Sequence, residues 1–185
     1  MSDKSKCTND ECQFSRNCYR HNAPIGMHQS YTKFTPTETG CEFFIEDTRP
    51  RFLFLDDIRN PKDAFPYTHQ PIYISSSVIW DVVKNYNEFV EYVTKHNPKL
   101  ISFDHDLADC HYAPMDAQEN YEQWKAWQDA QEHKEKTGYD CAKWLIEHCM
   151  NNNFQCPDFL CHSMNPVGRD NIIQILTRFK HERTN

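Results

Sequence analysis

The chain has 185 residues, of which 38% are hydrophobic and 25% are charged, which is enough for one packed domain with a small addition. Aromatic residues at 14% argue against disorder, and no apolar run approaches the roughly 18 residues that a membrane span needs. The formal net charge of −7 argues against a general nucleic-acid coat protein, and only 4 glycines occur, without a Gly-rich nucleotide-binding loop.

Residues 1–48 form the first predicted module, which is polar and rich in cysteine, asparagine and threonine. The chain has nine cysteines, an odd number, and no secretory signal precedes them, so reduced thiols and a cytoplasmic protein are expected. Four of them lie early, and their short spacing in a segment too polar to fold by itself favours a structural Zn²⁺. The predicted zinc ligands are Cys7, Cys12, Cys18 and Cys41, with His21 as the alternative fourth ligand. The other five cysteines lie in or beside apolar runs and are predicted core residues.

Residues 49–185 form the second predicted module, in which short apolar runs alternate with helical patterns. The apolar runs predict strands at 51–55, 78–83, 100–103 and 159–161. Apolar residues at helical spacing begin at Tyr86, Ala142 and Ile172 and predict three helices. Pro61 and Pro66 indicate a loop. Strands that alternate with helices predict an α/β fold with an open parallel sheet flanked by helices.

A helical insertion is predicted at about residues 108–136, within the second module. Residues 120–136 contain strong helix formers together with Trp124 and Trp127, and most of the predicted surface is polar. A solvated helix that packs along one edge explains this pattern. A lid over a functional site is the alternative, because the insertion leaves directly from an acidic strand end.

Ionisable residues follow three of the predicted strands. These strand ends carry Asp56-Asp57, Asp104-His105-Asp106 and His162-Ser163. Ligands of open parallel sheets bind beyond the carboxyl ends of the strands, so one site is expected there. Converging carboxylates repel one another, and a divalent ion that prefers oxygen ligands relieves the repulsion. The predicted ligands of Mg²⁺ or Mn²⁺ are Asp56, Asp57, Asp104 and Asp106.

Two histidines at these strand ends are candidates for proton transfer. His105 and His162 are predicted to act as acid and base or to contact phosphate, because imidazole carries protons near neutral pH. A structural hydrogen bond is the alternative for either ring. Together with Asp104, they make up the predicted catalytic set.

The segment 163–169 predicts a helix N-terminus at the same edge. Asn165 suits the N-cap and Pro166 suits the first helical position. Free amides and the positive end of the helix dipole attract anions, so a phosphate group is expected between this helix and the metal. The predicted phosphate contacts are Arg59, Ser163, Asn165, Gly168 and Arg169.

Four stretches resemble the cyclic-phosphate-processing receiver-like family, a divergent branch of the response-regulator receiver fold. They are LFLDDIRNP at 53–61, ISFDHDL at 101–107, TGYDCAKWL at 137–145 and HSMNPVGRDNI at 162–172. The resemblance covers about residues 51–179. It implies a flavodoxin-like sheet with Asp56 and Asp57 as the metal-binding acid pair. It also implies that Asp104 holds the position of the phospho-accepting aspartate, and Ser163 that of the receiver hydroxyl.

The sequence also departs from an ordinary receiver. Ordinary receivers have a further strand that ends in a lysine, and here only one helix follows Ser163. The absent lysine and the added histidines favour a metal-dependent phosphoric ester hydrolase. Its expected substrate is a small-molecule cyclic phosphate or nucleotide-like ester, cleaved by direct attack of water or through a covalent phosphate on Asp104. The alternatives are a non-catalytic binder of a nucleotide signal, a partner-docking module, and a phosphorelay receiver that is labelled on Asp104.

Overall fold

Residues 4–107, 122 and 136–184 are described by a computed structural model. Their contacts divide the chain into one unit of Met1–Pro50 with Ser76–Ile79 and a second unit of Arg51–Ser75 with Trp80–Asn185. The predicted insertion at about 108–136 lies outside the described residues except for positions 122 and 136, and so does its interpretation as a lid.

The first unit has little regular structure. Strand β1 (Lys6–Cys7) pairs in parallel with β2 (Tyr31–Thr32), and the single-turn helix α1 spans Tyr19–Asn22. Its described residues include only three that are buried, namely Asn9, Cys18 and Val78. The unit is therefore held by turns and polar contacts rather than by an apolar core.

The second unit contains a four-stranded sheet. Its strands are β3 (Arg51–Leu55), β4 (Ile79–Val83), β5 (Leu100–Phe103) and β6 (Asp158–Cys161). They lie in the order β4-β3-β5-β6, and β5 pairs in parallel with both β3 and β6. The apolar run of β3 suits a strand that is covered on both faces. The expected α/β fold with a parallel sheet flanked by helices is thus confirmed.

Among the described residues, four helices of eight or more residues accompany the sheet. They are α2 (Pro61–Thr68), α3 (Tyr86–His96), α4 (Gly138–Asn151) and α5 (Pro166–Thr184). The Asn85 side chain caps α3 by accepting a hydrogen bond from the Glu88 amide at 2.9 Å. Thr137 and Asp140 form a capping box at the start of α4. In the part of the chain that is described, no helix has the length and apolar character to cross a membrane.

The prediction of a loop at Pro61 and Pro66 was wrong, because this segment forms α2. Pro61 occupies the first helical position, where the N–H that proline lacks has no helical partner anyway. The Asn60 amide donates to Asp63 Oδ2 at 2.8 Å and fixes the helix start. Pro66 removes one hydrogen bond inside the helix, which ends two residues later.

The apolar side chains that the structure describes form two clusters, because successive residues of a strand point to opposite faces. The larger cluster joins the sheet to α3, α4 and α5 through side chains such as Leu55 and Phe103. The smaller one joins Phe54 to Ala64 of α2 and to Tyr73. Of the predicted core cysteines, Cys141, Cys149 and Cys156 are buried, Cys161 is half-buried and Cys110 lies outside the described residues.

Candidate metal and phosphate site

Strand register brings three predicted site residues to one level of the sheet edge. Leu55 pairs with Phe103 in the parallel ladder. The residues after the strands continue this ladder, since the Asp104 amide donates to Leu55 O and the His162 amide donates to Phe103 O, both at 2.9 Å. Asp56, Asp104 and His162 therefore stand side by side where β3, β5 and β6 end.

Asp56, Asp57 and Asp104 lie together as expected. One carboxylate oxygen from each falls within 4.8 Å of the others, and among the described residues this is the only such group of three or more His, Cys, Asp or Glu side chains. Three carboxylates offer the hard oxygen ligands that Mg²⁺ and Mn²⁺ prefer. The donor set therefore fits the expected ion. The group does not include Asp106, which was also predicted as a ligand.

Arg59 lies between the two buried aspartates. Its Nε is 2.7 Å from Asp56 Oδ2, its Nη2 is 2.8 Å from Asp104 Oδ2, and its Nη1 donates to the Tyr67 hydroxyl at 2.7 Å. Burial acts to lower the pKa of Arg59, but the two carboxylates outweigh it and raise that pKa above its usual value. A guanidinium thus offsets the repulsion that the sequence analysis assigned to a metal ion.

Every acceptor position of the Asp56 carboxylate is used. Oδ1 accepts from the Ile58 amide at 3.0 Å and from the Arg59 amide at 2.6 Å, and Oδ2 faces Arg59 Nε and His162 Nε2. A carboxylate has about four lone-pair sites, so a metal ion can bind Asp56 directly only after one of these donors leaves. Burial acts to raise the pKa of Asp56, but these bonds together hold it below its usual value.

His162 is the centre of a buried hydrogen-bond chain. The ring is 1% exposed and stacks on Phe54, with the centroids 4.1 Å apart. Nε2 is 3.0 Å from Asp56 Oδ2, Nδ1 is 2.6 Å from Ser102 Oγ, and Ser102 Oγ is 2.7 Å from the Tyr73 hydroxyl. Burial lowers the pKa of His162 despite the opposing pull of Asp56, so the ring is neutral at pH 7. The ring therefore makes the hydrogen bonds of the structural interpretation, and its role in proton transfer stays a prediction.

His105 belongs to a second cluster, together with Asp106. His105 Nδ1 is 2.8 Å from Asp106 Oδ1, and Asn165 Nδ2 is 3.4 Å from both Asp106 oxygens. A Cβ atom on Gly168 would lie 2.2 Å from the His105 ring, so only glycine lets α5 approach this closely. The side chain of His105 is 19% exposed, so part of it reaches solvent.

The start of α5 is less open to an anion than the sequence indicated. Its first residue is a proline without an N–H, and the Gly168 amide donates to Asn165 Oδ1 at 3.0 Å. Ser163 Oγ is buried and accepts from the Asn165 amide at 3.2 Å. The Arg169 side chain is 44% exposed, with its Nε 3.4 Å from Asp170 Oδ1.

Sequence reasoning missed several residues that shape the site. A Cβ atom on Gly138 would lie 1.7 Å from the Asp104 carbonyl oxygen, and the Gly138 amide donates to His105 O at 2.8 Å. A glycine directly after an N-cap threonine, in a chain with few glycines, was the available signal. Ser102 was a second available signal, because a hydroxyl in a buried apolar strand needs a hydrogen-bond partner. In the structure, the Tyr73 hydroxyl is one of the partners of Ser102.

Replacing Arg59 by alanine is expected to destabilise the protein by about 3 kcal/mol in the absence of divalent ions, because two buried carboxylates lose their cation. Added Mg²⁺ should stabilise this variant more than the wild type, since acceptor positions on Asp56 and Asp104 become available. Urea unfolding with and without Mg²⁺ measures both effects. Arg178→Ala is the control, because its ion pair with Glu182 is exposed and contributes little. Equal costs for the two variants would contradict this role of Arg59.

The strand order and the acidic strand ends define a receiver-type α/β unit, since receivers place the first strand between the second and the third. The family model of the cyclic-phosphate processing receiver domain matches residues 51–178. The chain therefore belongs to this family, as the four motifs predicted. One solved structure is similar to the chain, namely the signal receiver domain of a protein described as a Luxo repressor from Vibrio parahaemolyticus. The two sequences are 17% identical and the TM-score is 0.33. The match covers 74% of this chain and 96% of the receiver domain. No curated protein matches the chain.

Proposed function

We propose that this protein is a divalent-metal-dependent phosphoesterase that hydrolyses a small cyclic phosphate. The observation that carries the proposal is the convergence of Asp56, Asp57 and Asp104 at the carboxyl edge of the sheet. Membership of a family described by cyclic-phosphate processing supports the substrate class. The His105–Asp106 pair adds a solvent-accessible imidazole among the residues that follow the same strand, β5.

Within the triad, the aspartates have different roles in this proposal. Asp57 and Asp104 are the direct ligands, which agrees with the preference of Mg²⁺ for one or two carboxylates and several waters. Asp56 orients the edge of the site, because its oxygens are already held by the backbone, Arg59 and His162. When bound, Mg²⁺ or Mn²⁺ supplies positive charge that polarises the phosphoryl group and acidifies water.

His105 is the proton carrier in this proposal. Because its Nδ1–H donates to Asp106, its Nε2 keeps a lone pair that can accept a proton from water. Water attacks phosphorus, one ester P–O bond breaks, and His105 returns the proton to the leaving oxygen. Direct attack is favoured over a covalent phosphate on Asp104, because Oδ2 of Asp104 is paired with Arg59 and its other oxygen is the one that binds the metal ion in this proposal.

A second candidate function is binding of a cyclic phosphate without turnover. It is favoured by the ion pairs of Arg59, which already neutralise Asp56 and Asp104 without a metal ion. It is also favoured by the burial of His162, which removes one of the two predicted proton carriers from solvent. Binding and hydrolysis differ in whether product appears.

The test is a substrate panel with the full chain. The protein is incubated with Mg²⁺ or Mn²⁺ and with 3′,5′-cyclic nucleotides and 2′,3′-cyclic phosphates, and products are followed by phosphorus NMR. A phosphomonoester that forms only with metal supports the hydrolase. Saturable binding in calorimetry without product supports the binder. If acetyl phosphate labels Asp104 while the panel gives neither product nor binding, both are replaced by the phosphorelay alternative.

His162 gives a separate prediction about positioning. His162→Gln should keep most of the activity, because an amide can accept from Ser102 and donate to Asp56 as the neutral ring does. His162→Ala should lower turnover by roughly 100-fold, as it frees Asp56 and leaves a cavity against Phe54. Steady-state kinetics of both variants measure the difference. Equal loss in both would mean that the ring itself transfers protons.

The pH dependence of stability checks the same residue. The pKa of His162 is lower in the folded protein than in the unfolded chain, where it is near the ordinary 6.5. The unfolded chain therefore binds the proton first as the pH falls, and stability is lost from about pH 6.5 downward. His162→Gln should reduce this slope in urea unfolding, and an unchanged slope would contradict a buried neutral ring.

A further inference from the structure

The first unit contains a cavity that the proposed function does not use. The thiols of Cys7, Cys12, Cys18 and Cys41 line it together with His21. None of these cysteines is in a disulfide. Thiolate and imidazole are the donors that tetrahedral structural zinc sites use.

Hydrogen-bonded turns place three of these donors on one wall. The Cys12 amide donates to Asn9 O, that of Ser15 to Cys12 O, that of Cys18 to Ser15 O and that of His21 to Cys18 O, at 2.9–3.3 Å. Residues three apart in such turns lie on the same face. The five residues of this series, Asn9, Cys12, Ser15, Cys18 and His21, accordingly line the cavity. Cys7 and Cys41 also line it but lie outside this series of turns.

His21 supplies an independent observation. Its Nδ1 is buried and has no hydrogen-bond partner among the described residues. Its Nε2 lies 3.9 Å from Asp10 Oδ1. Metal-binding histidines commonly present one nitrogen to the ion and the other to a carboxylate, and a buried nitrogen without any partner is otherwise costly.

Aromatic rings line the same cavity as the thiols. Phe34 stacks on Phe43 with centroids 4.5 Å apart, and Phe14 meets Phe44 edge-on at 6.4 Å. All four rings line the cavity. Arg20, the cation beside them, donates to Phe43 O and Ser5 O and lies over Phe34. Its charge is therefore directed to backbone carbonyls rather than to the thiols.

The first unit has too few buried residues to be stabilised by an apolar core alone. Only three of its described residues are buried, and one of these is Cys18. Units of this size without an apolar core usually need disulfides or a metal ion to fold. Since the cysteines are free thiols, a metal ion is the remaining cross-link.

We propose that this cavity is a structural zinc site with Cys12, Cys18 and His21 Nδ1 as ligands and one thiol from outside the series of turns, Cys7 or Cys41, as the fourth. Each thiol releases a proton to solvent as it binds the ion. No three of these donors yet lie within 4.8 Å of one another, so binding draws the side chains inward by rotation about χ1. The zinc then stabilises a unit that is separate from the aspartate triad.

The test combines metal analysis with cysteine labelling of the full chain, purified under reducing conditions. One zinc per chain is expected, and it should persist in Asp57→Asn, which alters only the other site. Chelation should expose Cys12, Cys18 and one of Cys7 and Cys41 to alkylation, as mapped by mass spectrometry. Cys149 and Cys156 are internal controls, because they are buried in the second unit and should not change.

Matched histidine variants test the choice of ligand. His21→Gln should lose zinc, whereas His28→Gln should retain it because His28 is exposed and does not line the cavity. Asp10→Asn should weaken zinc binding by roughly 10-fold, through the orientation of His21. Zinc well below one per chain, or cysteine labelling that chelation does not change, would overturn the site. Full zinc in His21→Gln together with loss in both Cys7→Ser and Cys41→Ser would replace the proposed set by four cysteines.

Discussion

Asp57→Asn is expected to lower metal-dependent turnover of a cyclic phosphate by at least roughly 100-fold at fixed Mg²⁺. Asp57 is the member of the triad that is not fully buried, and it is the proposed direct ligand beside Asp104. The substitution removes one negative charge and one strong oxygen ligand while keeping the shape of the side chain. Steady-state kinetics over a series of Mg²⁺ concentrations measure the loss and any partial recovery at high metal.

Two measurements make this result specific. Asp170→Asn removes an exposed carboxylate from α5 and should leave turnover unchanged. Asp57→Asn should stay folded without metal, since the substitution reduces repulsion within the triad. Cooperative unfolding in urea would show this. Wild-type turnover in a folded Asp57→Asn protein would remove the carboxylate triad from the mechanism.

Gly138→Ala is expected to cost on the order of 3 kcal/mol or more of folding free energy, or to abolish folding. The new methyl group would lie 1.7 Å from the carbonyl oxygen and 2.8 Å from the carbonyl carbon of Asp104. These are backbone atoms at the end of β5, so the overlap is relieved only by moving α4 away from the sheet or by disturbing Asp104. Urea unfolding followed by circular dichroism measures the loss.

Gly40→Ala is the matched control, because a Cβ atom there meets nothing within 4 Å. Its free energy of unfolding should stay within about 0.5 kcal/mol of the wild-type value. A Gly138→Ala protein as stable as this control would show that α4 does not need the close approach. It would also mean that Asp104 keeps its position without a glycine at residue 138.

The sequence predicted the four strands of the larger sheet and the helices α3, α4 and α5 in their order, but not α2 or the short elements of the first unit. Strand and helix starts follow from apolar runs and from caps such as Asn85 and Thr137, which act within a few residues. The convergence of Asp56 with Asp104 was predictable because parallel strands end at a common edge. The error at Pro61 and Pro66 arose because proline is compatible with both a loop and a first helical turn.

Only the tertiary structure decided which groups these polar residues face. Arg59 was predicted to contact phosphate, yet it bridges two aspartates, one of them from a different strand. His162 is buried because Phe54, Ser102 and Asp56 surround it. The buried Nδ1 of His21 has no hydrogen-bond partner in the part of the chain that the structure describes. Burial and partner choice depend on contacts between residues far apart in the chain. Local pattern and spacing, by contrast, determine elements and strand ends but not the atoms that meet across them.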